Sequence, residues 1–197
     1  MATDRLRTIH GIVGGVLLVG HFAPWAAHHT AALTLSAHDL AVFTNDTPGA
    51  GVFLNEWFLL PLWAAALLIP LNLRQPALGL VVGLGIAALG LPGYPQILVA
   101  FRDPEHQLRF FASVGAGLGA CLLALKPPSG GFAAAAGAAL CLVAAVPLGG
   151  YLVVRPMIEA LYGSSVGIGL GWWLTLGSVA AGVGASSTQL RHKHVRL

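Results

Sequence analysis

Apolar residues fill six stretches of this chain, at about 9–27, 57–73, 77–91, 110–125, 131–154 and 163–187, and polar residues fall almost wholly between them. Crossing the hydrocarbon core of a bilayer takes roughly 20 apolar residues in a helix, so each stretch predicts a transmembrane span. The pattern predicts an all-α integral membrane protein: a six-transmembrane-helix bundle forming one polytopic domain over residues 1–197.

Punctuation within the pattern adds detail. Pro61 and Pro70 predict a kinked second helix, because proline removes a backbone donor. Arg74-Gln75-Pro76 predicts a tight turn with Pro76 at a first helical position. The third helix ends at Pro92-Gly93-Tyr94-Pro95, and the segment 96–109 then reads as a short interfacial helix followed by a turn at Asp103-Pro104. Lys126-Pro127-Pro128-Ser129-Gly130 separates the fourth helix from the fifth. A break near Pro147-Leu148-Gly149-Gly150 and a loop over 155–162 precede the last helix.

The one long insertion, residues 28–56, is the first extracytoplasmic loop. Within it Ser36-Ala37-His38-Asp39 has capping-box form and precedes Leu40, Val42 and Phe43. That signature predicts a short helix from Ala37 to about Asn45, lying along the membrane surface with its apolar side down, and ended by Thr47-Pro48-Gly49.

Composition agrees. Hydrophobic residues make up 56% of the 197 positions and charged ones only 9%, against about a quarter charged in a soluble domain, too few to cover a water-soluble globule. The basic balance, with a pI near 9.2, does not imply nucleic acid, since the ten Lys and Arg are scattered at segment ends. Their placement orients the bundle instead. With both termini cytoplasmic, Arg5, Arg7, Arg74, Lys126, Arg191, Lys193 and Arg196 lie inside, with Asp4 the only acid there. Arg102, Arg109 and Arg155 then lie outside with Asp39, Asp46, Glu56, Asp103, Glu105 and Glu159. This is the arrangement of a multi-pass protein of a bacterial-type plasma membrane. The Pro24-Trp25 pair occupies the place of a signal-cleavage motif, so the first helix reads as uncleaved. Trp25, Phe53, Trp57, Phe58, Tyr94, Phe101, Phe110, Phe111, Tyr151 and Tyr162 gather at the outer boundary, where amphipathic rings favour the interface.

Glycine spacing suggests where helices meet. Gly163, Gly167 and Gly171 recur every four residues at the start of the last helix, with shorter versions at Gly115 and Gly119, at Gly79 and Gly83, and at Gly11 and Gly15. Such small-residue stripes let backbones approach in lipid. Cys121 and Cys141 fall inside apolar segments, near the midplane of consecutive helices, and read as small apolar filler.

Candidate chemistry is sparse. His28, His29, His38 and Asp39 are residue types that bind zinc or copper, although adjacent ligands such as His28-His29 are uncommon in one site. His21, with His10 eleven residues before it, could ligate a haem or pigment, but helices two to six hold no facing histidine. No ionisable group sits near a midplane, which argues against an ion pump or voltage sensor. Ser164, Ser165, Ser178, Ser186 and Ser187 lack a nucleophile-elbow context, and no HExxH is present. Trp172-Trp173 lies deeper than a belt position, where an indole N–H needs a partner.

The resulting expectation is a non-catalytic integral subunit or accessory protein of a larger membrane complex. It would dock through small-residue helix faces and an aromatic, acidic outer surface, with lipids and other membrane subunits as partners and no nucleic acid. A small-solute or lipid transporter is the alternative. A haem- or pigment-binding redox or light-harvesting subunit using His21 is the second, and no cofactor at all is the first expectation.

Overall fold

The computed structural model describes residues 2–28, 34–43, 55–73, 75–128 and 130–194. Expectations for His29, residues 45–49, Phe53, Arg74 and Arg196 therefore lie outside the described residues. The chain is mostly helical. In order it forms α1 (Ala2–Phe22), β1 (Pro24–Ala27), β2 (Leu35–Ser36), α2 (Ala37–Phe43), a 3-10 turn (Glu56–Leu59), α3 (Leu60–Asn72) and α4 (Pro76–Leu89). A second 3-10 turn (Gln96–Leu98), α5 (Pro104–Leu125), α6 (Gly130–Tyr162), β3 (Gly167–Ile168) and α7 (Leu170–His194) complete it.

The middle of the bundle is α3. Its sequence is apolar on every side, and Pro61–Ala66, Leu68, Pro70 and Leu71 are all buried, as a helix without a polar face must be. It packs against α1, α4, α5 and α6, while α7 closes the bundle against α1 and α6. Glycines set the approach. A Cβ on Gly14 of α1 would meet Ile69 Cγ1 at 2.8 Å, one on Gly83 of α4 would meet Pro70 Cγ at 2.6 Å, and one on Gly119 of α5 would meet Leu67 Cδ2 at 2.8 Å. Gly79 of α4 lies against Ala124 and Pro70, whereas Gly115 of α5 and Gly15 of α1 face open space. The Trp63 indole N–H donates to Ser113 Oγ at 3.1 Å, a buried polar tie between α3 and α5.

Several boundaries differ from the sequence pattern. The first helix ends at Phe22 rather than Ala27, because residues 24–27 pair as a strand. Pro24 faces Ser36 and Ala26 faces Leu35 on β2; Ala26 faces Ile168 and Ala27 faces Gly167 on β3, both ladders antiparallel. The fourth helix starts at Pro104, not near Phe110: Asp103 caps it, its side chain accepting from Glu105 N–H at 3.1 Å, so the polar residues 104–109 are its first turns rather than a turn before it. The fifth runs unbroken through Pro147 and Pro156 to Tyr162, absorbing the expected loop 155–162, although each proline removes one backbone donor.

The stripe Gly163, Gly167 and Gly171 is not a helical face. Gly163 follows α6 with φ +64°, the left-handed position that ends helices and favours glycine. Gly167 lies in β3 and Gly171 in the first turn of α7. Gly171 nonetheless serves close packing: a Cβ there would meet the carbonyls of Gly20 and Ala23 at 2.5 Å, where α7 crosses the end of α1. Cys141 packs against Gly182 of α7 rather than toward Cys121.

Two of the described helices, 104–125 and 131–162, are long and apolar enough to cross a membrane. At 1.5 Å per residue the 13 residues of α3 and the 14 of α4 reach only about 20 Å each, short of the roughly 30 Å core.

Gly83 and Gly85 test this packing on one helix. A Cβ on Gly83 would also meet Ala120 Cβ at 2.6 Å, while Gly85 has nothing within 4 Å. Gly83→Val should cost about 1–3 kcal/mol by overpacking and lower the unfolding midpoint in detergent, with Gly85→Val near neutral; equal midpoints would refute the close contact.

Candidate functional site

A group of polar residues gathers where the α1–α2, α2–α3 and α4–α5 connections meet. The Ser36 capping box holds α2 in place. Ser36 N–H and Oγ–H both donate to Asp39 Oδ2, at 2.8 and 2.6 Å, and Asp39 N–H donates back to Ser36 Oγ at 3.2 Å. The predicted helix therefore forms, but its apolar side, Ala37, Leu40 and Ala41, is buried in the protein and packs on the 56–59 turn, not on lipid.

Asp39 is thus occupied as a cap, and one residue earlier His38 turns toward α1. Its ring centroid lies 5.7 Å from that of His21 and 5.7 Å from that of Phe22. His21 is wholly buried, and neither of its nitrogens has a partner in hydrogen-bonding geometry, although its ring lies beside the Phe58 backbone. Burial, with the nearby Arg109 charge, pushes the His38 pKa below the ordinary histidine value, and the Asp39 charge partly opposes this.

On the other side of Arg109 stands Glu56, at the start of the 3-10 turn. It is 8% exposed and its Oε2 has no hydrogen-bond partner. Burial raises its pKa above the usual carboxylate range, with its own backbone and the Arg109 and His106 charges opposing. Arg109 donates from Nε to Gly90 O at 2.8 Å and from Nη2 to Leu91 O at 3.3 Å. A cation thereby caps the carbonyl end of α4, where the helix dipole favours it.

Glu56 and Arg109 line a cavity of about 510 Å³, walled by Ala41 and Val42 of α2, by Pro92, Gly93 and Gln96 of the α4–α5 connection, and by the start of α5. Asp103, Glu105 and His106 line it too, with one ligand atom from each lying within 4.8 Å of the others. This trio is the only cluster of metal-ligating side chains among the described residues. No protein-family model, curated protein or solved structure matches the chain. The site must be read from its own chemistry.

Of the metal set expected from sequence, His29 lies outside the described residues and the other three are turned to different neighbours. His28 meets Ser164 Oγ at 2.6 Å, with Tyr162 at its ring edge; His38 faces His21; Asp39 caps α2. His10 is also remote from the cavity. Ser186 donates its hydroxyl to Gly182 O, so the 2.9 Å contact between His10 Nε2 and Ser186 Oγ must carry its proton on the imidazole. The ring lies over Gly137, where any Cβ would collide with it. A haem or pigment on His21 would require moving the Phe22 and His38 rings that enclose it.

Sequence reasoning missed Arg109, Glu56 and His106 as partners. They are 53 residues apart at the extremes, and the only local signal was polar character in 102–109. It also placed too many aromatics at the interface: Trp25, Phe58 and Tyr151 are fully buried and stack edge to face, with centroids 6.1 and 6.2 Å apart. Trp25 N–H donates to Gly20 O, Tyr151 O–H to Gly167 O and Trp172 N–H to Leu148 O. Tyr94 and Phe111 do remain exposed.

The depressed His38 pKa has a signed consequence. Unfolded His38 takes up a proton near pH 6.5 while the folded residue resists it, so its contribution to stability is complete above that pH and lost as pH falls. The difference in unfolding midpoint between wild type and His38→Gln should be constant above pH 7 and shift against the wild type below about 6.5. A difference that does not vary with pH would refute the buried, neutral imidazole.

Proposed function

We propose that this chain is a six-span protein of a bacterial-type plasma membrane, with both termini cytoplasmic, acting as a non-catalytic subunit or accessory protein of a larger membrane complex. The observation that carries the reading is how its surface is sorted. Val81 on α4, Leu118 and Leu122 on α5, Val153 on α6 and Ile12 and Val19 on α1 are each more than 60% exposed. Between the helices, small residues such as Ala65, Ala66, Ala120, Ala134 and Ala144 are buried beside larger ones such as Leu17, Leu62 and Leu68. A water-soluble bundle rarely leaves so many large apolar side chains exposed, and the small residues among the contacts suit helices that meet in lipid.

The short α3 and α4 fit such a membrane by local thinning, at a modest cost per ångström. The 33 residues of α6 reach about 50 Å, so its last turns carry Arg155 and Glu159 past the bilayer on the outer side. There Glu159 accepts from Arg155 Nε at 3.1 Å and from Val166 N–H at 3.0 Å, which fastens the α6–α7 connection. In this orientation the small sheet, α2 and the polar cavity all face outward. That end is the docking face, with exposed Tyr94 and Phe101 at its rim.

Transport of a small solute is the second reading, favoured by a cavity large enough for a small ligand. Purification from the native membrane in mild detergent separates the two. The docking reading predicts that other membrane chains copurify in fixed ratio; isolated protein that moves a solute across liposomes would overturn it in favour of the second.

A further inference from the structure

We propose that Asp103, Glu105 and His106 at the start of α5, with Glu56 of the 3-10 turn, form a site for one divalent first-row metal cation of the Zn²⁺ class. The argument begins with the local fold. Asp103 spends Oδ1 on capping Glu105 N–H, and the cap fixes its side chain at the helix entrance. Oδ2 is left toward His106, 3.9 Å from Nδ1. One helical turn thus presents a carboxylate oxygen, a second carboxylate and an imidazole to one point.

Glu56 is the independent observation. It belongs to a different element and lines the same cavity, outside the group of three whose ligand atoms lie within 4.8 Å of one another, so it would reach the ion from across the cavity. It is more than nine-tenths buried, yet Oε2 has no partner. An unsatisfied buried carboxylate oxygen is costly unless something pairs with it. Arg109 donates from Nε and Nη2 to the carbonyls of Gly90 and Leu91 and makes no hydrogen bond to that oxygen, although its charge acts on the carboxylate.

The donor set points to a dication. Three oxygens and one imidazole nitrogen are a donor set that zinc accepts at about 2.0–2.2 Å, and manganese less tightly. Donors about 2.1 Å from a tetrahedral ion lie about 3.4 Å from one another, so the trio, within 4.8 Å of one another, would draw together on binding. Soft thiolates are far from it: Cys141 is buried against α7. The site goes beyond the docking role proposed above and does not depend on it.

The test uses the full chain in detergent, free of any affinity tag and stripped with chelator. Titration calorimetry with Zn²⁺ should give one equivalent of saturable binding, and Zn²⁺ should raise the unfolding midpoint. Glu56→Gln and His106→Gln should each weaken binding tenfold or more, while His28→Ala, outside the site, binds as wild type. X-ray absorption of the wild-type zinc complex should report mixed oxygen and nitrogen ligation with a single imidazole, a readout that needs no variant to fold. The absence of saturable binding, undiminished affinity in Glu56→Gln, or a multi-histidine spectrum would each overturn the assignment.

Discussion

Everything in this molecule hangs on the burial of α3, a helix with no polar face and therefore no tolerance for solvent on any side. Its neighbours come closest where they lack a side chain, as at Gly14, Gly79, Gly83 and Gly119, so backbone approaches side chain at van der Waals distance. Dispersion grows with such contacts, and in a lipid setting it is the main attraction between helices, because apolar burial gains little there. The same contacts hold α1, α4 and α5 against α3, and the end of α1, the end of α4 and the start of α5 carry residues of the candidate site.

Polar chemistry follows from that fixing. With helix ends converging, unsatisfied carbonyls and ionisable side chains share a small volume, and each finds the partner that costs least. Arg109 takes the carbonyl end of α4; Asp103 takes the amide end of α5; the Ser36 pair closes α2. At this end of the bundle His21, His38 and Glu56 each keep a buried side-chain atom without a hydrogen-bond partner, and buried unsatisfied polar groups are rare enough to ask what they serve. Glu56 opens to a cavity and so has a use that His21, walled in by rings, lacks.

How much of this was legible beforehand depended on the range of the interaction. Periodicity and caps are local: the apolar stretches were helical, Pro76 opened a helix, the Ser36 capping box formed, and the Trp172 N–H found a carbonyl. Pairings across the chain were not legible. Nothing near Pro24 announced that it would face Ser36 and that Ala26 would face Ile168, because the strands are two to four residues long and carry no alternation. Four-residue glycine spacing misled for the same reason. The pattern at Gly163, Gly167 and Gly171 matches a helical face, yet the left-handed turn at Gly163 ends one helix before the next begins. Polar residues in 104–109 looked like a break and are helix, since a capped Asp-Pro start tolerates charge in its first turns. The Glu56–Arg109–His106 grouping arises only from tertiary packing.

The claim on which the rest stands is that this bundle lies across a membrane with its polar end outward. In a background with Cys121 and Cys141 replaced by alanine, single cysteines at Tyr94, in the α4–α5 connection, and at Gln75, in the α3–α4 turn, report the two ends; both native positions are exposed. Membrane-impermeant maleimide applied to intact cells should label the first and reach the second only after permeabilisation. Labelling of both in intact cells, or of Gln75→Cys alone, would contradict the account.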